Sequence, residues 1–190
     1  MKFCVLILAS TLLIASGVTV TNHKDGETIR YEVALIKGTM SDGATEVNIH
    51  REGETAVIPA LVHDGRFKAL VRLKPGINKL RIVNDLAMAH PLFHLTYKPQ
   101  TNEHFVRLIW FTDKSGDEKF AVPDEDTPQD YLGRLQTAGL LMQTFTAEKM
   151  HEGGHGRRTF KLERDDKGEI IVHKLKGERD KDYYYKLGDS

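Results

Sequence analysis

The first half of the chain consists of short apolar or alternating runs separated by turn residues, from Thr28 to about Gln100. Clusters such as Ser41-Asp42-Gly43, Asp64-Gly65 and Lys74-Pro75-Gly76 are typical turn sequences. This pattern is typical of an all-β sandwich. It predicts strands at residues 29–39, 45–51, 55–62, 67–73, 79–83 and 92–97.

The clearest alternation lies at residues 66–73. Successive side chains of a strand point to opposite faces of the sheet, so the apolar and basic positions here separate onto two faces. One face carries Phe67, Ala69, Val71 and Leu73, and the other carries Arg66, Lys68 and Arg72. The segment is therefore predicted to be a half-buried strand of an antiparallel sheet.

The pattern changes after Pro99. The run from Phe105 to Phe111 is denser in apolar residues, which predicts a strand covered on both faces and the first strand of an α/β unit. Thr127 and Pro128 are a favourable N-cap and first helical position. They predict a helix that runs to about His151.

Helical spacing predicts which face of this helix is buried. Positions three and four apart form one apolar stripe, which we expect to pack on the core. Its members are Leu135, Ala138, Met142, Phe145 and Lys149, with Leu132, Gly139, Thr146 and Met150 beside it.

Segments 158–162 and 170–175 are predicted to form a hairpin around residues 165–168. Residues 177–190 are predicted to be a charged, solvated tail.

Together these patterns predict a mixed fold. An immunoglobulin-like antiparallel β-sandwich at residues 18–100 precedes an incomplete α/β unit at 101–176, with one long helix and a β-hairpin. Residues 1–17 resemble a secretory signal, with Lys2, an apolar stretch and a small-residue cleavage site, which predicts secretion and a mature chain beginning near Val18.

Composition limits the partners. The single cysteine, Cys4, lies in the leader, so we expect neither disulfides nor thiolate metal sites in the mature chain. Basic and acidic residues number 27 each, which gives no reason to expect a nucleic acid or an anionic membrane as partner. No later stretch approaches the roughly 18 apolar residues of a membrane span.

The most informative motif is His151-Glu152-Gly153-Gly154-His155, which fits the His-Glu-x-x-His pattern of zinc peptidases. That pattern assigns His151 and His155 as zinc ligands and Glu152 as the catalytic base. However, two glycines are a common helix stop. The alternative is a helix end with these side chains in solvent.

Other residues give weaker signals. His90 and His94, with His104 further along, lack metal geometry, because residues four apart on a strand lie about 13 Å apart. His63 is predicted in a turn, and His173 is the only downstream histidine available as a third ligand. Arg157 and Arg158 are expected to make structural pairs. The chain has no Gly-x-Ser-x-Gly elbow and no phosphate loop.

The segments 140–150 and 154–163 resemble a eukaryotic family of zinc metallopeptidases. In that family a helix ending in Gln-x-Phe-Thr-Ala-Glu-x-Met leads into a Gly-x-Gly-Arg-Arg-Thr-Phe strand, here Gln143 to Met150 and Gly154 to Phe160. Residues 65–78 are similar to the β-sandwich that precedes the peptidase part. The resemblance covers most of the mature chain and implies zinc as the family's cofactor.

The same resemblance implies that residues 151–155 are not the zinc site. The family's zinc helix lies well C-terminal to the Arg-Arg-Thr-Phe segment, so no zinc ligand carries over to this chain. We therefore expect a secreted, truncated and inactive relative that binds no zinc, with apolar surface available for self-association. The alternatives are an extracellular module that binds a protein, peptide or glycan through loops 40–44 and 86–91, or a minimal zinc peptidase using residues 151–155.

Overall fold

The computed structural model describes residues 17–40, 44–85, 92–117 and 131–187. The predicted leader up to residue 16, most of loop 40–44, loop 86–91 with His90, and the predicted helix start at 127–130 lie outside the described residues. By its internal contacts the chain forms two compact units. Within the described residues, unit 1 contains 17–27, 35–40, 44–71, 78–85 and 92–95, and unit 2 contains 28–34, 72–77, 96–117 and 131–187.

The β-rich part consists of two sheets. The four-stranded sheet has the order β1-β3-β7-β6, and the five-stranded sheet has the order β2-β9-β8-β4-β5. The strands are β1 (Val18–Val20), β2 (Glu27–Ile29), β3 (Val33–Met40), β4 (Val47–Arg51), β5 (Val57–Pro59), β6 (Leu61–His63), β7 (Arg66–Arg72), β8 (Gly76–Asn84) and β9 (Leu92–Tyr97).

The alternation predicted for residues 66–73 is confirmed. Phe67, Ala69 and Val71 of β7 are buried, and the residues between them are exposed. Strand β8 alternates in the same way, with Leu80 and Ile82 buried. The prediction of a mixed, β-rich fold with one long helix is also confirmed.

Two predicted strands are each divided in the structure. Residues 29–39 are not one strand: β2 belongs to the five-stranded sheet and β3 to the four-stranded sheet. Likewise, residues 55–62 divide into β5, which pairs with β4, and β6, which pairs with β7. In both places the chain changes sheets within one to three residues, and apolar periodicity does not record that change.

Unit 2 contains a β-α-β arrangement. Strands β10 (Leu108–Thr112) and β11 (Val172–Lys176) pair in parallel, with Leu108 opposite Val172. Between them in sequence lies helix α1 (Tyr131–Glu152). Its Gly139 passes so close to β10 that an added Cβ would lie 3.0 Å from the Leu108 side chain. The core here is formed by Val33, Leu140, Leu162 and Ile170.

The predicted double-sided burial of the 105–111 strand is wrong for the described part of the chain. Ile109 and Phe111 are about half exposed, whereas Leu108 packs on the core and Trp110 stacks on Tyr131 of α1 at 5.0 Å. The helix therefore covers only one face of β10. Because β10 and β11 pair in parallel register, Leu175 lies beside Phe111 on the other face and is also half exposed.

The predicted turn is present, but the predicted pairing of segments 158–162 and 170–175 with each other is wrong. Arg164 and Ile170 form an antiparallel bridge around a turn in which Gly168 N–H bonds Asp165 O at 2.9 Å. The segments on either side pair in parallel with the β10 segment, Leu162 with Val106 and β11 with β10. Residues 164–170 thus form a short hairpin that projects from an otherwise extended segment, and we call it the hairpin excursion.

The predicted solvated tail contains a short helix. Helix α2 (Lys181–Leu187) follows β11, and the Tyr184 ring meets Phe111 edge to face at 4.9 Å between centroids. The Tyr184 hydroxyl accepts bonds from the backbone N–H groups of Glu178 and Arg179. Tyr184 therefore holds this segment against β10. In the described residues, no helix is long and apolar enough to cross a membrane.

Candidate functional site

Helix α1 ends inside the His-Glu-x-x-His motif. Its last residue is Glu152, and Gly154 adopts a left-handed conformation with φ of 82°. The N–H of His155 bonds Met150 O at 2.9 Å, and the N–H of Gly154 bonds His151 O at 3.0 Å. These two bonds define a Schellman C-cap, which terminates a helix by using the last free carbonyls. The two glycines are therefore the helix stop.

The two motif histidines consequently lie on different structural elements. His151 belongs to the last helical turn, whereas His155 follows the reversal of the chain at Gly154. Both histidines are exposed. Glu152 is exposed as well, and its carboxylate accepts a bond from Lys149 Nζ at 2.7 Å. Glu152 is thus part of a surface ion pair on the helix.

This geometry does not fit a zinc ion. In a zinc-peptidase helix the two histidines share one helical face, and a third protein ligand completes the site. Here the helix ends between them. Across residues 17–40, 44–85, 92–117 and 131–187, no group of three or more His, Cys, Asp or Glu side chains is arranged to hold a metal. His173, considered as a third ligand, bonds Glu163 on another part of unit 2.

Helix α1 buries a face that mixes small, apolar and polar residues, and the predicted buried stripe is wrong. Its buried residues are Gly139, Leu140, Gln143, Thr144, Ala147 and Glu148, whereas Met142 and Phe145 are 57% and 65% exposed. The Thr144 hydroxyl donates to Val33 O at 2.6 Å, and the Gln143 amide donates to Phe160 O at 2.6 Å. Hydrogen bonds to distant residues therefore select the buried face.

Glu148 is a buried charge on α1 with two hydrogen-bond partners. One of its oxygens, Oε1, accepts bonds from the Tyr31 hydroxyl at 3.0 Å and from Arg157 Nε at 2.9 Å. Tyr31 is 1% exposed, and both charged side chains are 7% exposed. A buried charge is tolerated when it is paired and hydrogen-bonded. This cluster joins α1, the segment after it and residue 31 of unit 2.

A second buried carboxylate lies next to Tyr31 in sequence. Glu32 bonds Arg72 Nε through one oxygen and Arg164 Nη2 through the other, at 2.7 Å for the latter. Arg164 also donates to Gly168 O, which fixes the hairpin excursion. Nearby, burial raises the pKa of the Tyr97 phenol. The two arginines compensate the charge of Glu32 and attach the excursion to unit 2.

A third ionic cluster lies on the open face of the β10–β11 sheet. Glu163 bonds both His173 Nε2 and Arg107 Nε, the latter at 3.1 Å. The hydrogen bond from His173, with Arg107 second, lowers the pKa of the Glu163 carboxyl. Arg107 also lies over the Phe105 ring at 5.2 Å. The Glu163 carboxylate is therefore bonded by both Arg107 and His173, and the three side chains form an ion-pair network.

The remaining predicted histidines are placed apart. His94 Nδ1 lies 3.0 Å from Asp25 Oδ1, and the His94 backbone N–H bonds the same oxygen, which lowers the Asp25 pKa. His104 is exposed, and His63 lies 3.2 Å from Asp64 at a turn, as predicted. His90 lies outside the described residues. Among the described residues, neither His94 nor His104 belongs to a group of side chains arranged to hold a metal.

Unit 1 has an open groove of about 350 Å³ on the five-stranded sheet. The pair His50 and Arg81, opposite each other in β4 and β8, lies on its wall. The other lining residues are Arg51, Glu52, Gly53, Glu54, Val83 and Leu92. Lys79 bonds Glu52 at 2.9 Å and lowers the Glu52 pKa. The groove combines two arginines and two glutamates with two aliphatic side chains, and Arg51 pairs with Glu54 at 3.0 Å.

These features define a class of protein: a β-rich chain with a β-α-β unit whose helix is held by buried polar bonds. A family model described as "Putative peptidase family" matches residues 17–183. The chain belongs to this metallopeptidase family.

Two curated yeast relatives carry zinc in their names. "Putative zinc metalloproteinase C607.06c" of Schizosaccharomyces pombe is 26% identical over 155 residues, which cover 78% of this chain and 25% of the relative. "Putative zinc metalloproteinase YIL108W" of Saccharomyces cerevisiae is 28% identical over 148 residues, covering 73% and 21%. The chain thus spans about a quarter of the length of these relatives.

The helix-to-strand motif that carried the resemblance now has a physical explanation. Gln143 and Glu148 are buried and bonded, and Ala147 has no exposed surface. Arg157 pairs with Glu148, as expected for a structural arginine, and Thr159 donates to Gln143 O at 2.9 Å. The motif therefore closes the corner between α1 and the following segment.

Proposed function

We propose that this chain supplies scaffold elements of a secreted zinc-metallopeptidase-family protein and that residues 151–155 do not form its zinc site. The observation that carries the proposal is the left-handed turn at Gly154, which ends the helix between the two histidines. A zinc-peptidase motif requires continuous helix at that point. In this proposal the chain has no peptidase activity of its own.

The bonds of the α1 corner support the scaffold part of the proposal. Buried polar side chains are costly unless they are paired, so a helix that buries Glu148, Gln143 and Thr144 depends on its partners being in place. Those partners come from residues 31–33 and 157–160 of unit 2. This arrangement suits a fixed structural corner.

Export is part of the same proposal. Residues 1–17 have the composition of a secretory leader, and the proposed mature chain begins near Val18. Expression in a secreting eukaryotic host followed by N-terminal sequencing tests this. Recovery from the medium with a start near Val18 is expected, and retention inside the cell with Met1 intact would contradict it.

Hydrolysis assays test the absence of activity. The purified chain with added zinc is compared with Glu152→Gln, a substitution that preserves shape and removes the candidate base, on a mixture of fluorogenic peptides. We expect background hydrolysis from both proteins. Zinc-dependent turnover by the wild type that is lost in Glu152→Gln would instead establish a minimal peptidase that uses residues 151–155.

The groove of unit 1 favours a second function, binding of a protein, peptide or glycan group. Arg81 offers a charged fork, and Val83 and Leu92 offer apolar contact. An array of acidic peptides and sulfated glycans is the probe, with Arg81→Glu compared against Arg66→Glu on an exposed strand position. Loss of binding only in Arg81→Glu supports this function, and equal behaviour of the two variants argues against it.

Self-association through exposed apolar surface completes the proposal. In the described part of the chain, large apolar side chains are exposed on α1 and on the β10–β11 sheet. Surfaces of this kind mark interaction sites when they are contiguous. The side chains on the helix surface are the more exposed, with Phe145 at 65% against 53% for Ile109 on the sheet.

A further inference from the structure

The outer face of the four-stranded sheet carries leucines where polar residues are expected. The side chains of β7 alternate, and both Lys68 and Leu70 are on its exposed side, with Leu70 48% exposed. Leu61 of β6 lies directly opposite Lys68 in the register and is 82% exposed. An antiparallel sheet with one face on the core usually presents polar side chains to solvent on the other. Packing within the fold therefore does not account for these two leucines.

Both leucines line one groove of about 360 Å³. Leu35 of β3 and Pro59 of β5 extend its apolar wall, and in the described part of the chain Lys68 is the one charged residue that lines it. Clefts that bind ligands typically have about 300–1,000 Å³ and a mainly apolar lining with a few polar groups. This groove shares no lining residue with the groove on the five-stranded sheet. We call residues 35, 59, 61 and 68–70 the leucine groove.

The leucine groove lies on a basic sheet. None of the strands β1, β3, β6 and β7 contains an aspartate or a glutamate, whereas β3 and β7 carry the basic residues Lys37, Arg66, Lys68 and Arg72. Arg72 is paired with Glu32, and Asp64 of the β6–β7 turn lies 3.2 Å from His63. The strands thus place no carboxylate of their own beside Lys68. Charge complementarity therefore favours an anionic group at this lysine.

One lysine beside an apolar wall fits a ligand with a single carboxylate next to a large apolar group. Residues directly opposite each other, as Lys68 and Leu61 are, have Cβ atoms about 4.5–5.5 Å apart. In an extended peptide, adjacent side chains point to opposite sides, so an acidic residue and its apolar neighbour do not both enter one groove. The C-terminal residue of a peptide, in contrast, carries its side chain and a carboxylate on the same Cα.

We propose that the leucine groove binds the C-terminus of a peptide that ends in a large apolar residue. The terminal carboxylate pairs with Lys68, and the last side chain packs against Leu61 and Leu70. Capture of a terminal carboxylate is a recurring mode of peptide recognition. A peptide suits this groove better than a fatty acid does, because sites for small ligands bury about 70–90% of the ligand. Here Leu61 is mostly exposed, and the rest of a peptide continues into solvent.

Fluorescence anisotropy of labelled peptides with the purified chain tests the ligand. The probe is a short glycine-serine peptide that ends in leucine with a free carboxylate, and it is compared with the same peptide as a C-terminal amide and with one that ends in alanine. The amide is expected to bind about fivefold more weakly, since it loses one surface ion pair. The alanine peptide is expected to bind about tenfold more weakly, since it buries less apolar surface. Equal binding of the three peptides overturns the proposal.

Substitutions in the groove test the site. Lys68→Met removes the charge and should bind the carboxylate and amide peptides equally, whereas Arg66→Met, exposed on the same strand but outside the lining, should keep the preference. Leu70→Ser should abolish binding, and Ile77→Ser, 70% exposed on β8, is its control. Circular dichroism checks folding, and Leu61→Ser replaces Leu70→Ser if that variant unfolds. A preference that survives Lys68→Met, or binding that survives the leucine substitution, overturns the proposal.

Two further ligands distinguish the source of the carboxylate. One is an amidated peptide with an internal glutamate two residues before a leucine, and the other is decanoate. Both are expected to bind more weakly than the leucine-ended peptide, and tighter binding of either overturns the proposal in favour of an internal acidic segment or a fatty acid. The proposal does not rest on the zinc proposal or on the groove of the five-stranded sheet. Arg81→Glu should therefore leave binding of the leucine-ended peptide unchanged.

Discussion

The Glu148–Arg157 pair offers the sharpest test of how α1 is held. Arg157→Met removes the guanidinium and keeps the length of the side chain, so the buried Glu148 retains the neutral Tyr31 hydroxyl but loses the positive charge beside it. Breaking one side of a buried ion pair costs about 3–5 kcal/mol, because the remaining charge is uncompensated. That is a large part of the roughly 5–15 kcal/mol that stabilises a typical domain.

The double variant Glu148→Met with Arg157→Met separates charge compensation from packing. Replacing both partners of a buried pair by apolar residues is often neutral or stabilising. We therefore expect the double variant to recover most of the free energy of unfolding lost in Arg157→Met. Urea denaturation followed by circular dichroism measures all three proteins.

Arg158→Met is the matched control for this test. Arg158 is the next residue, and its side chain is exposed, so its replacement should change the free energy of unfolding by no more than about 0.5 kcal/mol. Equal destabilisation by Arg157→Met and Arg158→Met would refute the reasoning. A double variant that is as unstable as Arg157→Met alone would also refute it.

The same unit offers three further tests. Glu163→Gln should lower stability at pH values above the ordinary glutamate pKa of 4.5, because the Glu163 pKa is depressed in the fold. The difference in stability from wild type should vanish as the pH falls through that depressed pKa. Thermal melts over a pH series measure this difference. Gly154→Ala should cost about 1–2 kcal/mol because its φ of 82° is left-handed, whereas Gly153→Ala, at ordinary φ, should cost less. Thr144→Val should cost about 1–3 kcal/mol by leaving a buried carbonyl unpaired, compared with almost no effect at the exposed Thr137.

Each of these predictions has a contradicting outcome. A constant stability difference between Glu163→Gln and wild type from neutral to strongly acidic pH would mean that the ion pairs of Glu163 contribute nothing. Equal costs at the two glycines would show that the C-cap conformation is unimportant. A neutral Thr144→Val would mean that the bond to Val33 O does not hold the helix.

The sequence predicted those elements whose pattern depends on neighbouring residues. The alternation at 66–73, the strand at 92–97 and the long helix all follow from local periodicity, and the structure contains them. The glycine stop after Glu152 was also visible, since Gly at the C′ position is a local signal. The family was recognisable because its helix-to-strand motif is confined to about 20 residues.

The buried face of α1 could not be predicted from periodicity. Counting apolar positions places Met142 and Phe145 inside, but Thr144 and Glu148 have partners 111 and 117 residues away in sequence. A polar side chain becomes buried when a distant group pairs with it, and one sequence does not show that pairing. The exposed stripe was therefore mistaken for the core face.

The divided strands were missed for a similar reason. At residues 30–32 the chain leaves one sheet and enters the other while the alternation of Ile29, Tyr31 and Val33 continues, with Tyr31 buried and Glu32 paired. Apolar periodicity registers burial and not the identity of the neighbouring strand. The signal that was available is the charged Glu32 within an apolar run, which requires a buried partner.

Zinc content tests the central claim most directly. Elemental analysis of the purified chain after dialysis against a weak chelator, with His155→Ala as the control, measures zinc per chain. We expect less than a tenth of an equivalent, on the order of background, in both proteins, because the helix ends before His155 and does not present two ligands on one face. About one zinc per wild-type chain that is lost in His155→Ala would contradict the account and make residues 151–155 a metal site.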